Sequence, residues 1–325
     1  MNVKCHQREI WITWEYQRRN VGISNYFNME LYEIVYDHKN IFYRYLLCIY
    51  KTLNLLSKKP KLVCVQNPSM VLSLIAIFIK PLYKYKLVVD THNSGIFPKT
   101  KFKKICNVIF KYIQKKSDLT IVTNYYLENI VNQNGGNAKV LPDKIPSFVD
   151  TAASNLKLPI GKIVVFICTF DIDEPYDEVI KSARYIEKSV KIIITGNYIG
   201  KVNTNQISRN VFLTGYLQEN LYWLLLKKAD IVMDLTTRDH CLVCGAYEAL
   251  SVNKPLILSN TQVNRNFFYK GCVYVDSDHQ SIAKGIKRAL TIQDKLEQDI
   301  FHLKKDLLWK WEEQATYVKK VIDNL

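Results

Sequence analysis

Short apolar runs alternate with longer amphipathic stretches along almost the whole chain. Most of the apolar runs are bounded by polar, Gly or Pro residues, which is typical of buried parallel strands. They predict twelve strands, at residues 10–14, 31–35, 62–66, 87–90, 119–123, 138–141, 163–168, 190–195, 211–213, 231–233, 256–258 and 273–275. Helical patterns between them predict parallel sheets that are covered by helices on both faces.

Residues 142–160 interrupt this alternation with three prolines and small polar residues. A segment of this kind, without apolar periodicity, predicts an interdomain linker. We therefore expect an α/β protein with two doubly wound, Rossmann-like domains in tandem, residues 1–145 and 160–305. The longest apolar run, residues 69–79, is too short to span a membrane, which takes about 20 residues.

Candidate chemistry is densest at residues 229–260, where a strand, a polar loop, a helix and a second strand follow one another. Polar residues at the carboxyl end of a parallel strand are typical of ligand sites in open α/β sheets. The backbone N–H groups of Cys244, Gly245 and Ala246, at the predicted start of the helix, suit a phosphate. Glu248, one turn further, suits the hydroxyl groups of a ribose.

The same stretch resembles a known family. Glu248-Ala249 and Asn253-Lys254-Pro255 are similar to the second half of the nucleotide-sugar motif of retaining GT-B glycosyltransferases, family 4 and relatives. In that motif a first glutamate stands where this chain has His240. Trp311-Glu312-Glu313 resembles the carboxyl-terminal helix of these enzymes, which crosses back onto the amino-terminal domain. We therefore expect residues 306–325 to join the first domain.

The resemblance implies a donor site on the second domain and an acceptor site on the first. It also implies that no metal or other cofactor is needed, the UDP- or GDP-linked sugar being a substrate. Loops and glycines that follow predicted strands supply the donor-binding candidates, including a loop from Thr169 that is similar to one in dolichol-type β-mannosyltransferases. The donor-binding candidates are Glu248, Arg238, Asp239, His240, Gly245, Thr169, Gly196 and Gly215.

Two loops in the first half supply the other candidates. Arg18 and Arg19 follow the first strand, and adjacent arginines suit an anionic acceptor such as a lipid diphosphate. Asp90 and His92 follow the fourth strand, and histidine is the usual general base near neutral pH. With Glu15, these two residues form the predicted catalytic set.

Charge is distributed unevenly between the halves. Residues 1–150 hold 22 Lys and Arg against 10 Asp and Glu, whereas residues 151–325 hold 23 against 20. A basic first half predicts an anionic partner, for which nucleic acid, lipid headgroups and a lipid-linked diphosphate all qualify. The helix predicted at 101–116 has one apolar face, formed by Phe102, Ile105, Cys106, Ile109 and Ile113. Together with the basic helix predicted at 41–59 it would suit an anionic membrane surface; a buried stripe under a solvated face is the alternative.

The eight cysteines show no disulfide framework. Cys241 and Cys244 form a C-x-x-C, but no second pair at zinc spacing accompanies them, so packing is the expected role. Without a recognisable signal peptide, the expected location is the cytoplasm, on the inner face of the plasma membrane if the protein is peripheral.

The sequence therefore predicts a glycosyltransferase that uses a nucleotide sugar and acts on a lipid-linked or polysaccharide acceptor in cell-surface glycan synthesis. Two alternatives stay open: a nucleotide-sugar epimerase, and a degenerate scaffold that binds membrane or nucleic acid without catalysis. A dinucleotide oxidoreductase is disfavoured because no G-x-G-x-x-G follows a predicted strand. The sugar, the base, the acceptor, the stereochemical outcome and the oligomeric state are not determined by the sequence.

Overall fold

The computed structural model describes residues 8–37, 39–67, 69–98, 100–148 and 156–325. Part of the predicted linker, residues 149–155, and Cys5 lie outside these ranges. Within them the chain divides into two units by its contacts, the first comprising Met1–Lys144 and Lys310–Leu325, the second Ile145–Trp309. A strand lies at each of the twelve predicted positions.

The first unit holds a six-stranded parallel sheet of order β2-β1-β3-β4-β5-β6. Its strands are β1 (Glu9–Thr13), β2 (Glu30–Glu33), β3 (Leu62–Asn67), β4 (Lys86–Thr91), β5 (Leu119–Val122) and β6 (Ala138–Val140). Its helices are α1 (Arg18–Tyr26), α2 (Ile41–Leu56), α3 (Met70–Tyr83), α4 (Lys103–Lys116) and α5 (Tyr125–Gln133). The central strand β3 is buried throughout, as its unbroken apolar run predicts.

Helices α2, α3 and α4 cover one face of this sheet, around Val63, Val65 and Leu87. The opposite face packs Trp11, Cys64 and Val88 against residues that include Trp311, whose indole N–H donates to Pro142 O at 3.0 Å. Polar caps set two helix starts: the Asn40 side chain accepts from the backbone of α2, and that of Asn124 from the backbone of α5.

The second unit holds another six-stranded parallel sheet, of order β12-β11-β10-β7-β8-β9. Its strands are β7 (Lys162–Phe166), β8 (Val190–Ile194), β9 (Val211–Leu213), β10 (Ile231–Asp234), β11 (Leu256–Ser259) and β12 (Cys272–Val275). Its helices are α6 (Tyr176–Ser182), α7 (Glu219–Lys228), α8 (Cys244–Ser251), α9 (Gln262–Phe267), α10 (His279–Thr291) and the first part of α11 (Gln293–Asp323). The strand order reverses between β7 and β10, the topological switch point of a doubly wound sheet.

The structure thus has the α/β class that the sequence predicts, with each sheet packed between helices. Among the described residues, no helix is both long enough and apolar enough to cross a membrane. Helix α4 differs from expectation on one point. Phe102 and Ile105 were predicted to share one apolar face with Cys106 and Ile113, but they are exposed, whereas Cys106, Phe110 and Ile113 pack against the sheet.

Candidate functional site

A buried ion pair lies at the carboxyl edge of the first sheet. Arg19, on α1, donates from Nε to Asp90 Oδ2 at 2.9 Å and from Nη2 to Asp90 Oδ1 at 2.7 Å. Its Nη1 donates to Asp143 Oδ1 at 2.7 Å, and Nη2 also donates to Leu141 O at 2.9 Å. The bidentate geometry satisfies the planar guanidinium without solvent.

This pairing corrects two expectations. Arg19 was predicted to bind an anionic acceptor, but it is 5% exposed and its donors are directed at Asp90, Asp143 and Leu141. Asp90 was predicted to be catalytic, yet it is fully buried. Burial alone would raise the pKa of Asp90, but the charge of Arg19, with hydrogen bonds from His92 and Arg19, outweighs it and holds that pKa well below its usual range. Arg19 therefore keeps Asp90 ionised, which makes this carboxylate a weak base.

His92 lies directly beside this pair, half-buried, with Nε2 3.6 Å from Asp90 Oδ2. Gln66 contacts the same ring nitrogen at 3.2 Å through its Nε2. The Gln66 amide is oriented by its other partners, because its Oε1 accepts from Asn20 at 2.9 Å and its Nε2 donates to Gln17. Gln66 therefore directs its Nε2 at the ring nitrogen of His92 that also faces Asp90, which fixes the orientation of the ring.

An open cleft of about 390 Å³ adjoins Gln66. Aromatic, cationic and acidic side chains line it, among them Trp14, Glu15, Tyr36, Arg44 and Tyr45. Trp14 is held edge-on to Tyr45 at 5.7 Å. The cleft therefore combines aromatic faces, against which a sugar ring can pack, with charged groups that hydroxyls or phosphates can meet.

The remaining candidates of the first unit are exposed. Glu15 lines the cleft and accepts from Gln17 Nε2 at 2.9 Å. Arg18 is exposed at the start of α1, one position before the buried Arg19. The structure thus places Glu15 in the cleft that Gln66 lines and His92 against the Gln66 amide, while Arg18 is the arginine whose side chain reaches solvent.

In the second unit, the loops after β7 and β10 meet at the switch point. Asp173, in the first loop, accepts from Thr236 Oγ1 at 2.9 Å and pairs with Arg238 Nε at 2.8 Å. Its backbone O accepts from Thr237 N at 2.7 Å. Arg238, the predicted cation for a leaving diphosphate, is therefore ion-paired in this structure, and Asp173 is a residue that sequence reasoning did not single out.

Glu174 organises the loop that begins at Thr169. Its carboxylate accepts from Thr169 N at 2.9 Å, from Thr169 Oγ1 at 3.1 Å and from Asp171 N at 2.9 Å. Phe170, between these donors, has φ of 58°, an unusual value for a residue with a side chain. One carboxylate thus fixes a tight turn at the carboxyl end of β7, and Thr169 is exposed on it.

Lys201 is a second residue that sequence reasoning missed. Its ammonium group donates to Thr169 O at 3.2 Å and to Phe170 O at 2.9 Å, so a positive charge lies against the loop after β7. The only signal for it in the sequence is its place beside Gly200, after a strand. A lysine at this edge gives the second unit a cation beyond Arg238.

Gly196 and Gly215 both have positive φ, 96° and 70°, and Gly196 N donates to Gly215 O at 3.1 Å. A Cβ added at Gly196 would lie 2.1 Å from Cys168 O, on the loop after β7. Position 196 thus requires glycine for two reasons: the backbone of Cys168 lies too close for a side chain, and φ is positive. The two predicted glycines hold the ends of β8 and β9 together at the edge where β7 ends.

Substituting Gly196 with Ala should lower the free energy of unfolding by at least about 2 kcal/mol, because both the dihedral strain and the clash with Cys168 O must be relieved. Gly200→Ala is the matched control: Gly200 also has positive φ, 75°, but a Cβ there meets nothing within 4 Å. It should cost only about 1 kcal/mol. Chemical denaturation measures both, and equal losses would contradict the close-approach argument.

The start of α8 differs from expectation. The backbone N–H groups of Gly245 and Ala246, predicted to face a phosphate, donate to the carboxylate of Asp234 at the end of β10. Burial, reinforced by the charges of Glu174 and Glu248, raises the pKa of Asp234 well above its usual range despite those hydrogen bonds. Asp234 therefore occupies the helix start as an internal cap, and a Cβ at Gly245 would lie 2.5 Å from its Oδ2.

Glu248 lies on α8, half-buried, and accepts a hydrogen bond from Tyr222 Oη of α7. The tyrosine fixes the rotamer of the carboxylate and was not predicted. Asp239 is exposed and His240 is half-buried, both in the loop between β10 and α8. The donor candidates of the second unit are thus spread over loops at the carboxyl edge of one sheet.

Metal chemistry has no ligand set in the part of the chain that the structure describes. No group of three or more His, Cys, Asp or Glu side chains there is arranged to hold an ion. Cys241 and Cys244 form no disulfide with any described residue.

The chain is similar in sequence and in fold to known proteins. The sequence model described as "Glycosyl transferases group 1" matches residues 152–301. A search of curated protein sequences finds no match. The fold is similar to Anabaena Alr3699/HepE in complex with UDP-glucose, with a TM-score of 0.72 at 11% identity, covering 97% of this chain and 98% of that one.

Two further structures have the same fold. The glycosyltransferase from Rickettsia africae ESF-5 has a TM-score of 0.65 at 12% identity, covering 98% of this chain and 99% of that chain. The lipopolysaccharide outer core galactosyltransferase WaaB, in its apo form, has a TM-score of 0.61 at 13% identity, covering 96% and 99%. At these identities the likeness establishes the GT-B fold.

Proposed function

Since residues 152–301 belong to the glycosyl transferases group 1 family, we propose that this chain transfers a hexosyl group from a UDP- or GDP-linked donor. The proposed acceptor is a lipid-linked sugar or a polysaccharide of the cell surface. The observation that carries the proposal is the loop arrangement at the switch point of the second sheet, where Asp173 joins the loops after β7 and β10. Nucleotides bind at such points in doubly wound sheets.

In this proposal the second unit binds the donor. The ribose hydroxyls donate to Glu248, whose orientation Tyr222 sets. Lys201 and Arg238 supply positive charge for the diphosphate, offsetting the carboxylate of Glu174 near the same edge. Arg238 turns from Asp173 to the diphosphate, so the Asp173–Arg238 pair opens as donor binds.

The first unit binds the acceptor in the cleft beside Gln66. A sugar ring packs on Trp14 or Tyr45, and Arg44 meets an acceptor phosphate. His92 then accepts the proton of the attacking hydroxyl. The complex of Alr3699/HepE with UDP-glucose, on the same fold, supports a nucleotide-sugar donor here.

Thermal unfolding in the presence of UDP, GDP, ADP, CMP and TDP, with NAD as a control, tests the donor assignment. A nucleotide at 100 times its dissociation constant adds about 2.7 kcal/mol to the free energy of unfolding, which raises the midpoint measurably. We expect one nucleotide to do so. Stabilisation by none of them would contradict the proposal and favour a scaffold without catalysis.

Glu248→Ala should weaken binding of that nucleotide by about 10- to 100-fold, since hydrogen bonds to a charged group contribute about 1.5–3 kcal/mol. Glu187→Ala is the control, because Glu187 is an exposed glutamate of the same unit, bonded only locally to Ser189. Wild-type affinity in the Glu248 variant, measured by calorimetry, would exclude Glu248 from the donor site.

A further inference from the structure

Helix α2 carries a continuous apolar stripe that faces solvent. Phe42, Leu46, Tyr50 and Leu53 are spaced by four, four and three residues, so they share one side of the helix. Phe42 is 80% exposed and Leu46 63%. Cys48 and Leu56, elsewhere on α2, already anchor this helix in the hydrophobic core. The exposed stripe is therefore not part of the packing that holds α2 on the sheet.

The two neighbouring helices carry matching stripes. Helix α3 lies between α2 and α4 on the same face of the sheet. Its Phe78 is 66% exposed, and the Phe78 ring lies 6.4 Å from that of Tyr112 on α4. The other exposed apolar side chains of these two helices and the residue before α4 are Leu82, Phe102, Ile105 and Val108. We call this set, with the α2 stripe, the α2–α4 surface.

The charge around the α2–α4 surface is predominantly positive. Residues 41–118 contain 15 Lys and Arg but two acidic residues, Asp90 and Asp118, of which Asp118 pairs with Lys80. Asp90 is buried and paired with Arg19, so it does not offset the field outside. The second half of the chain, in contrast, is nearly balanced in charge. A large apolar patch embedded in positive charge needs an occupant that is both apolar and anionic.

A basic cleft of about 520 Å³ opens beside the exposed stripes of α3 and α4. Lys84, Lys86 and Lys116 line it with Phe78 and Tyr112. Lys80 and Asp118 also line it and pair with each other at 2.7 Å, so the three other lysines give the cleft its net positive charge. The cleft lies at the amino end of β4, whereas His92 and the acceptor cleft lie at the carboxyl ends of the strands. It is therefore separate from the proposed reaction site and suits a phosphate group next to apolar chains.

We infer that the α2–α4 surface binds an anionic lipid bilayer, with the basic cleft receiving a headgroup phosphate. Nucleic acid would satisfy the lysines and could stack on the aromatic rings, but it offers nothing to Leu46, Leu82 or Val108. A bilayer suits the aliphatic, the aromatic and the cationic side chains together. The aliphatic groups enter the acyl region, while the tyrosines and lysines remain at the interface. The inference does not depend on glycosyl transfer.

Sedimentation with vesicles tests this inference. The full chain should bind vesicles of phosphatidylcholine mixed with phosphatidylglycerol. It should bind vesicles of phosphatidylcholine alone far less tightly. The triple variant Phe42→Ser, Leu46→Ser and Tyr50→Ser should bind the mixed vesicles about 100-fold less tightly, since three apolar side chains no longer enter the membrane. Its thermal midpoint should match the wild type, because all three side chains are exposed.

The control is Ile199→Ser with Tyr216→Ser, two exposed apolar side chains of the second unit. It should bind mixed vesicles like the wild type. Undiminished binding by the triple variant, or wild-type binding to single-stranded RNA and not to mixed vesicles, would overturn the inference. Nucleotide-dependent stabilisation of the same triple variant separates failure of the membrane inference from failure of the proposed donor site.

Discussion

Replacing Arg19 with Met is expected to lower the free energy of unfolding by about 3–5 kcal/mol at neutral pH, the usual cost of leaving one member of a buried ion pair alone. Asp90 would then be a fully buried carboxylate without its principal counter-charge. Urea denaturation followed by circular dichroism measures the loss. Arg18→Met is the matched control on the same helix; Arg18 is exposed, so its replacement should change stability by no more than about 0.5 kcal/mol.

The pKa of Asp90 predicts how this difference in the free energy of unfolding changes with pH. In the wild type the pKa of Asp90 is lower in the folded chain than in the unfolded chain. The pair's contribution is therefore complete above the unfolded value and is lost as the pH falls through the folded one. In Arg19→Met, burial dominates and raises the pKa of Asp90 in the folded chain. Protonation of Asp90 therefore stabilises the folded variant. The difference between the two proteins should shrink as the pH is lowered from neutral towards 4.

A second substitution separates charge from packing. Adding Asp90→Asn to Arg19→Met removes the orphaned charge while keeping the size of the side chain. The double variant should be more stable than Arg19→Met alone at neutral pH. If the two variants were equally unstable and insensitive to pH, the loss would come from packing around the guanidinium and not from the ion pair.

The strands were predictable because buried parallel strands carry continuous apolar runs, and β3 and β10 are buried along their whole length. The buried faces of helices were less predictable from the sequence. Helix α4 has two apolar stripes, and the sequence alone grouped Phe102 and Ile105 on one face with Cys106 and Ile113. Only the packing of Cys106, Phe110 and Ile113 against the sheet decides which stripe is buried.

The site was predictable in place more than in detail. Adjacent arginines at a strand end signal an anion, but which of Arg18 and Arg19 turns inward depends on Asp90 and Asp143, distant in sequence. The helix start at Gly245 signals a phosphate, yet its amide groups bind Asp234 from the preceding strand. In both cases a carboxylate from another element accepts hydrogen bonds from the donor group that local sequence assigned to a ligand.

Replacing His92 with Asn is expected to reduce turnover by about 100- to 10,000-fold, the usual contribution of a general base. Gln66 holds the ring by one nitrogen, Asp90 lies 3.6 Å from the same nitrogen, and the aromatic cleft adjoins Gln66. The measurement is release of nucleoside diphosphate from the sugar donor that thermal unfolding identifies. Donor affinity should be unchanged, because the proposed donor residues lie in the second unit.

Two comparisons make the result specific to His92. His302→Asn, an exposed histidine on α11, should keep wild-type turnover. Gln66→Met removes the N–H that orients His92 without removing the base, so it should reduce turnover by less than His92→Asn while leaving the shape of the pH–rate profile intact. A His92 variant with full turnover would show that the proton is accepted elsewhere, and Glu15, on the wall of the same cleft, is then the residue to replace.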